Sequence, residues 1–175
     1  MMPSAVFIRA VNVGGGNLCR PALLAKELAK FDVVNIGAVG TFVVRKEVPE
    51  ATLRSAIAKK LPFKSEIMIV GANDLLKLTA KDPFARHAAS DVITRFASIA
   101  TKPVKSPPSL PLVFSYEDEW LLKVIQVQKQ FVLGIYRRHM RAIGCLAKME
   151  KQLGVPLTNR NWNTIERVVK ILREG

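Results

Sequence analysis

The sequence predicts an α+β fold. It reads as an N-terminal ferredoxin-like βαββαβ unit followed by a smaller antiparallel β-meander with two C-terminal helices. Three observations carry this. Up to residue 78, strand-like and helix-like runs come in the order β-α-β-β-α-β plus one helix, without the strict alternation of a doubly wound sheet. From 92 to 138 the apolar runs are β-branched and aromatic, with no helical spacing between them. The last segment, LTNRNWNTIERVVKILREG, places Ile165, Val168, Val169 and Leu172 on one helical face.

Each element has a local reason. AVFIRAVNV (5–13) reads as a strand bounded by glycines. Pro21 suits the first turn of a helix, and Leu24, Leu28 and Phe31 follow on one face. VVNI and TFVVR, around Gly37 and Gly40, form two closely spaced strands. Pro49 and Glu50 open a helix carrying Leu53, Ile57 and Leu61. EIMIV (66–70) is a strand, and Asn73 or Asp74 is expected to cap the helix that follows. VITRFASIA (92–100) is a strand, and TKPVKSPPSLP, which loses backbone donors at its prolines, is an extended crossover. WLLKVIQV and FVLGIYRR make a hairpin around QKQ, preceded by the solvated turn YEDEW. Residues 142–153 form a helix ending at Gly154. Asn163 and Glu166 resemble a capping box before the final helix. The division expected is 1–88 for the ferredoxin-like part and 89–175 for a basic second part packed on it.

Composition narrows the class. At 175 residues and 49% apolar, the chain can bury a sizeable core. No apolar run reaches a membrane span, and the N-terminus lacks a signal-peptide pattern, so a cytoplasmic protein with no membrane partner is expected. Cys19, Cys145, His87 and His139 show no metal-ligand spacing and no disulfide framework. No metal site and no cofactor are expected. The net charge is +13, and residues 137–173 hold nine basic side chains against two acidic ones. Such a balance suits an anionic partner. Arg137, Arg138 and Arg141 are the candidate basic surface.

Two short motifs could carry binding. VNVGGGNLCRP lacks the lysine and hydroxyl of a Walker loop, and Cys19 stands where a dinucleotide fingerprint needs its third glycine. It leaves two readings: an anion nest at a helix start, involving Arg9, Asn12, Gly14 and Gly15, or a strand-to-helix corner. NRNWN also has two readings. Arg160, Asn161, Trp162 and Asn163 form a recognition loop, with Arg160 on phosphate or carboxylate and Trp162 on a base, or they cap and anchor a helix. No nucleophile elbow is present, and no residue is singled out as catalytic.

Both ends of the chain resemble a family of uncharacterised bacterial proteins, domain of unknown function 1697. Its members begin with a strand like "LLRGINVGG"; FIRAVNVGGGN matches at Arg9, Asn12, Val13, Gly14 and Gly15. A central "YINSGNVVF" corresponds to NIGAVGTFVV, "NPF" to Asp82-Pro83-Phe84, and "TRNWNTV" to NRNWNTI (159–165). The chain departs from the pattern at Ala10 and at Val39-Gly40-Thr41, which replaces Ser-Gly-Asn. It also departs in the proline-rich stretch, where the family has helix. The resemblance implies a ferredoxin-like N-terminal part and no established activity. The leading functional expectation is a binding protein for an anionic partner, nucleic acid foremost. The alternatives are an enzyme or small-molecule binder with a cleft between the halves, and a homo-oligomer paired through hairpin edges.

Overall fold

A computed structural model describes residues 2–174. The chain divides into two compact units: residues up to Ala80 with those from Glu166 onward, and Lys81–Ile165. The division therefore differs from the one expected at 88/89. The turns of the last helix beyond Ile165 group with the N-terminal part. Helical periodicity tells that a stripe is buried, not which element buries it.

The first unit contains β1 (Ser4–Ile8), α1 (Pro21–Glu27), β2 (Val33–Asn35), β3 (Thr41–Val44), α2 (Glu50–Lys60), β4 (Ile67–Gly71) and α3 (Ala72–Leu78). The sheet order is β2-β3-β1-β4, with every neighbouring pair antiparallel. This is the ferredoxin-like order. Val6, Ile8, Phe42 and Val44 of the sheet meet Leu24, Leu28, Leu53 and Ile57 of the helices in one core. Each helix supplies residues three or four apart, and each strand alternate ones. A 3-10 turn, Ala29–Phe31, tightens the end of α1 and buries Phe31.

Two local expectations change. The first strand stops at Ile8 instead of reaching residue 13, because Ala10 and Asn12 take left-handed backbone, φ 56 and 54. Neither Asn73 nor Asp74 caps α3: its cap is Gly71, the last residue of β4, with no side-chain hydrogen bond. The strand runs straight into the helix, so both residues lie inside it.

The second unit contains β5 (Ile93–Ala100), β6 (Leu112–Tyr116), β7 (Glu119–Gln128), β8 (Phe131–Arg137), α4 (Ala142–Leu153), β9 (Leu157–Asn161) and the start of α5 (Trp162–Glu174). Its sheet is antiparallel in the order β6-β7-β8-β5-β9. The expected meander is thus extended by β9, which pairs with β5. Cys145 and Met149 of α4 pack with Phe96, Leu122, Val124 and Val132 of the sheet. Gly154 ends α4 at φ 65, its N–H donating to the Glu150 carbonyl at 3.0 Å.

A register shift fixes which side chains share a face. Ser115 faces Trp120 while Phe114 faces Leu122, so Leu121 is an extra, unpaired residue. The bulge moves Trp120 onto the face of Lys123 and, across the ladder, Ile135 and Arg137. Leu122, Tyr136 and Arg138 occupy the opposite face, which α4 covers.

Candidate functional site

The glycine motif is a surface loop between β1 and α1. Asn12 closes it. Its side-chain amide donates to the Cys19 carbonyl at 2.9 Å and to the Ala38 carbonyl at 2.8 Å, and its oxygen accepts the Cys19 N–H at 2.9 Å. Its backbone N–H donates to the Asn17 carbonyl at 3.1 Å, and Gly16 N–H donates to the Val13 carbonyl at 3.1 Å. Gly14 and Gly15 adopt φ 60 and 74 with open space around them. The N–H groups of Asn12 and Gly16 are used within the loop, and α1 begins only at Pro21, which has no N–H, so the helix start offers an anion less than the sequence suggests. Arg9 directly follows β1. It pairs with Glu66 at 3.9 Å, and its carbonyl accepts the Ser65 hydroxyl at 2.6 Å.

Asn12 is therefore a clip between the loop and the β2–β3 turn. Asn12→Ala removes three side-chain hydrogen bonds and puts alanine in left-handed backbone, so a loss of about 2–3 kcal/mol is expected. Urea unfolding followed by far-ultraviolet circular dichroism measures it. A loss below about 0.5 kcal/mol, the range of ordinary surface substitutions, would remove the clip assignment.

NRNWN is not a loop. Asn159, Arg160 and Asn161 end β9, and Trp162 and Asn163 begin α5. Asn163 is inside the helix, so it does not take the capping position its spacing from Glu166 suggests. Strand alternation turns Arg160 inward and leaves Asn159 and Asn161 exposed. Arg160 is 6% exposed and donates to the Thr158 hydroxyl and the Asn159 carbonyl, each at 2.8 Å. Burial pulls its guanidinium down to about 10. Trp162 is 3% exposed and meets Phe84 edge-on, with centroids 5.0 Å apart at 64°. A phosphate contact by Arg160 and base stacking by Trp162 both need surface that these side chains lack. Asn161 and Asn163 remain at the surface.

The three arginines of the basic run split. Arg137 stands on the Trp120 face, 4.7 Å from that ring's centroid and 3.9 Å from the Glu119 carboxylate. Lys123 lies 4.4 Å from the same centroid. Arg138 is on the other face, with Nε donating to the Thr94 hydroxyl at 3.2 Å. Arg141, just before α4, lies flat enough over Tyr116 to bring its guanidinium carbon 3.8 Å from the ring centroid. All of these groups gather at one end of the sheet, where the β6–β7 turn and the β8–α4 connection lie.

Tyr116, Trp120 and Lys123 are members of this cluster that the charge count overlooks. The signal for them is present: Tyr116 and Trp120 flank the turn of YEDEW, and a hairpin reading puts both at its tip. Among the described residues there is no group of histidine, cysteine or acidic side chains placed to hold a metal ion, and no helix long and apolar enough to cross a membrane.

A ferredoxin-like unit and a five-stranded antiparallel unit make the chain an α+β protein. The chain belongs to the family described as protein of unknown function, DUF1697, which matches residues 1–112. The NRNWNTI segment lies beyond that match. Among solved structures, the conserved bacterial protein SP0830 from Streptococcus pneumoniae is similar, with a TM-score of 0.64 at 16% identity over 98% of each chain. That likeness concerns the fold alone. No curated protein matches.

Proposed function

We propose that the chain is a binding protein for an anionic partner, and that the partner is single-stranded nucleic acid held at the basic, aromatic end of the second unit. The carrying observation is the stacking of Arg141 on Tyr116. A guanidinium held against an aromatic ring keeps its edge N–H groups and outer face available to phosphate or a base. Arg138 and Arg141 supply positive charge on the α4 side, and Met140 and Ile143, 90% and 75% exposed, offer apolar contact beside them. Trp120 with Lys123 and Arg137 repeats the cation-on-aromatic arrangement around the hairpin tip. Stacking surfaces and cations together are what single strands require, whereas base-edge reading is not.

The test is fluorescence anisotropy with labelled mixed-sequence DNA and RNA oligonucleotides across a salt series. Binding at low salt should weaken steeply with added salt. Arg138→Glu with Arg141→Glu, both at exposed positions, should lower affinity by at least roughly tenfold and flatten the salt slope by about two. Absence of binding at low salt, or a slope that the double variant leaves unchanged, would overturn the reading.

A further inference from the structure

A second candidate site lies in the first unit and is independent of the nucleic-acid reading. Two hollows of about 680 and 440 Å³ run along α1 and α2, and both are lined by Glu27 and Lys60. The two shared side chains make them neighbours along one trough.

The smaller hollow carries Leu18, Leu23 and Pro62 beside Cys19, with Arg20, Glu27 and Lys60 also lining it. Leu18 and Leu23 are 70% and 51% exposed, so two large aliphatic side chains wall a depression and face water. Such exposure is ordinary for a single residue but not for neighbours around a cavity. The larger hollow is polar at its rim. Lys30 and Lys59 accompany the hydroxyls of Thr52 and Ser55, above an apolar floor that includes Phe31. Ala51 and Ala56 are too small to fill the space between the helices. Around the whole trough, Arg20, Lys30, Lys59 and Lys60 stand against a single carboxylate, Glu27. Two exposed leucines at one hollow and a cationic, hydroxyl-bearing rim at the other suit an elongated ligand with one anionic head.

We propose that this trough binds a linear aliphatic carboxylate, with its chain against Leu18 and Leu23 and its head group at Lys30, Lys59, Thr52 and Ser55. The charge balance selects an anion, and the exposed Leu18 and Leu23 beside it select an amphiphile over a compact anion.

Cys19 is a built-in reporter, because it lines the chain-binding end and is half-buried, while Cys145 is 4% exposed. The experiment measures alkylation of Cys19 by iodoacetamide in the full chain, read by mass spectrometry, with decanoate below its micelle concentration as the probe. The pH is held constant in every arm. Burial first, and Glu27 second, keep the Cys19 thiol above its ordinary value, and the rate follows the thiolate.

Decanoate should slow alkylation roughly tenfold once it reaches about ten times its Kd. Decyltrimethylammonium, with the same chain and the opposite charge, should give no protection. Leu23→Asp, at an exposed position, should abolish protection, and Lys59→Glu should weaken it while leaving the melting temperature unchanged. An unchanged rate with decanoate, equal protection by the cationic amphiphile, or protection that survives Leu23→Asp would overturn the proposal. The wild-type arms need no variant to fold.

Discussion

Gly134→Ala is expected to destabilise the second unit by about 3 kcal/mol or more, the upper range for overpacking a filled core. Gly134 lies in β8, opposite Val124 of β7 on one side and Phe96 of β5 on the other. A Cβ there would stand 2.4 Å from the Lys123 carbonyl oxygen and 2.6 Å from Cζ of Phe96. The ring could be displaced, though it is 1% exposed and packs against Tyr136. The carbonyl cannot move without β7, which is already irregular between Val124 and Gln126. Relief therefore requires shifting a central strand.

Both tryptophans, Trp120 and Trp162, lie in the second unit, so fluorescence-detected urea unfolding follows that unit. The midpoint should fall with the slope unchanged. Adding Phe96→Leu removes the ring contact and leaves the carbonyl contact, so it should restore less than half of the loss. A loss below about 1 kcal/mol for the single variant, the low end of the overpacking range, would show that the strands part easily at this point.

The fold was legible where a local pattern and the global packing agree. β3, α2 and β4 follow from local apolar pattern alone, because Leu53, Ile57 and all four residues of TFVV are buried. LTNRN was opaque because its burial is polar: Thr158 and Arg160 are buried side chains in a strand that propensity reads as loop. The bulge at Leu121 was equally hidden, since it depends on where β6 stops pairing, a non-local fact. Without that bulge, alternation along β7 would place Trp120 with Leu122 on the α4 side and away from Lys123.

The candidate site shows the same limit more sharply. A charge count over residues 137–173 treats the basic residues as one patch, but a strand sends Arg137 and Arg138 to opposite faces and buries Arg160. Asn12 was recognised in its motif, but its role depends on Ala38, a carbonyl 26 residues away. Sequence reasoning found residues that matter and could not separate those that hold the fold from those that face a partner.

Trp162 is where that separation can be measured. Trp162→Ala should cost about 3–5 kcal/mol, as expected for emptying a buried aromatic site. Trp162→Phe should cost much less, because it keeps an aromatic partner for Phe84. Phe84 is 2% exposed and also carries Arg95, whose guanidinium carbon is 5.7 Å from the ring centroid. A double-mutant cycle between Trp162 and Phe84 should therefore give a coupling of about 1 kcal/mol, in the range for an edge-to-face pair. After the change, Trp120 alone reports by fluorescence. Its response to oligonucleotide, under conditions where the variant is folded, should match the wild type if Trp162 is an anchor. A base-stacking Trp162 demands the reverse: affinity lost, and the unfolding midpoint kept. The two outcomes cannot both occur, because a ring 3% exposed can meet a base only by leaving the core that its removal would otherwise collapse.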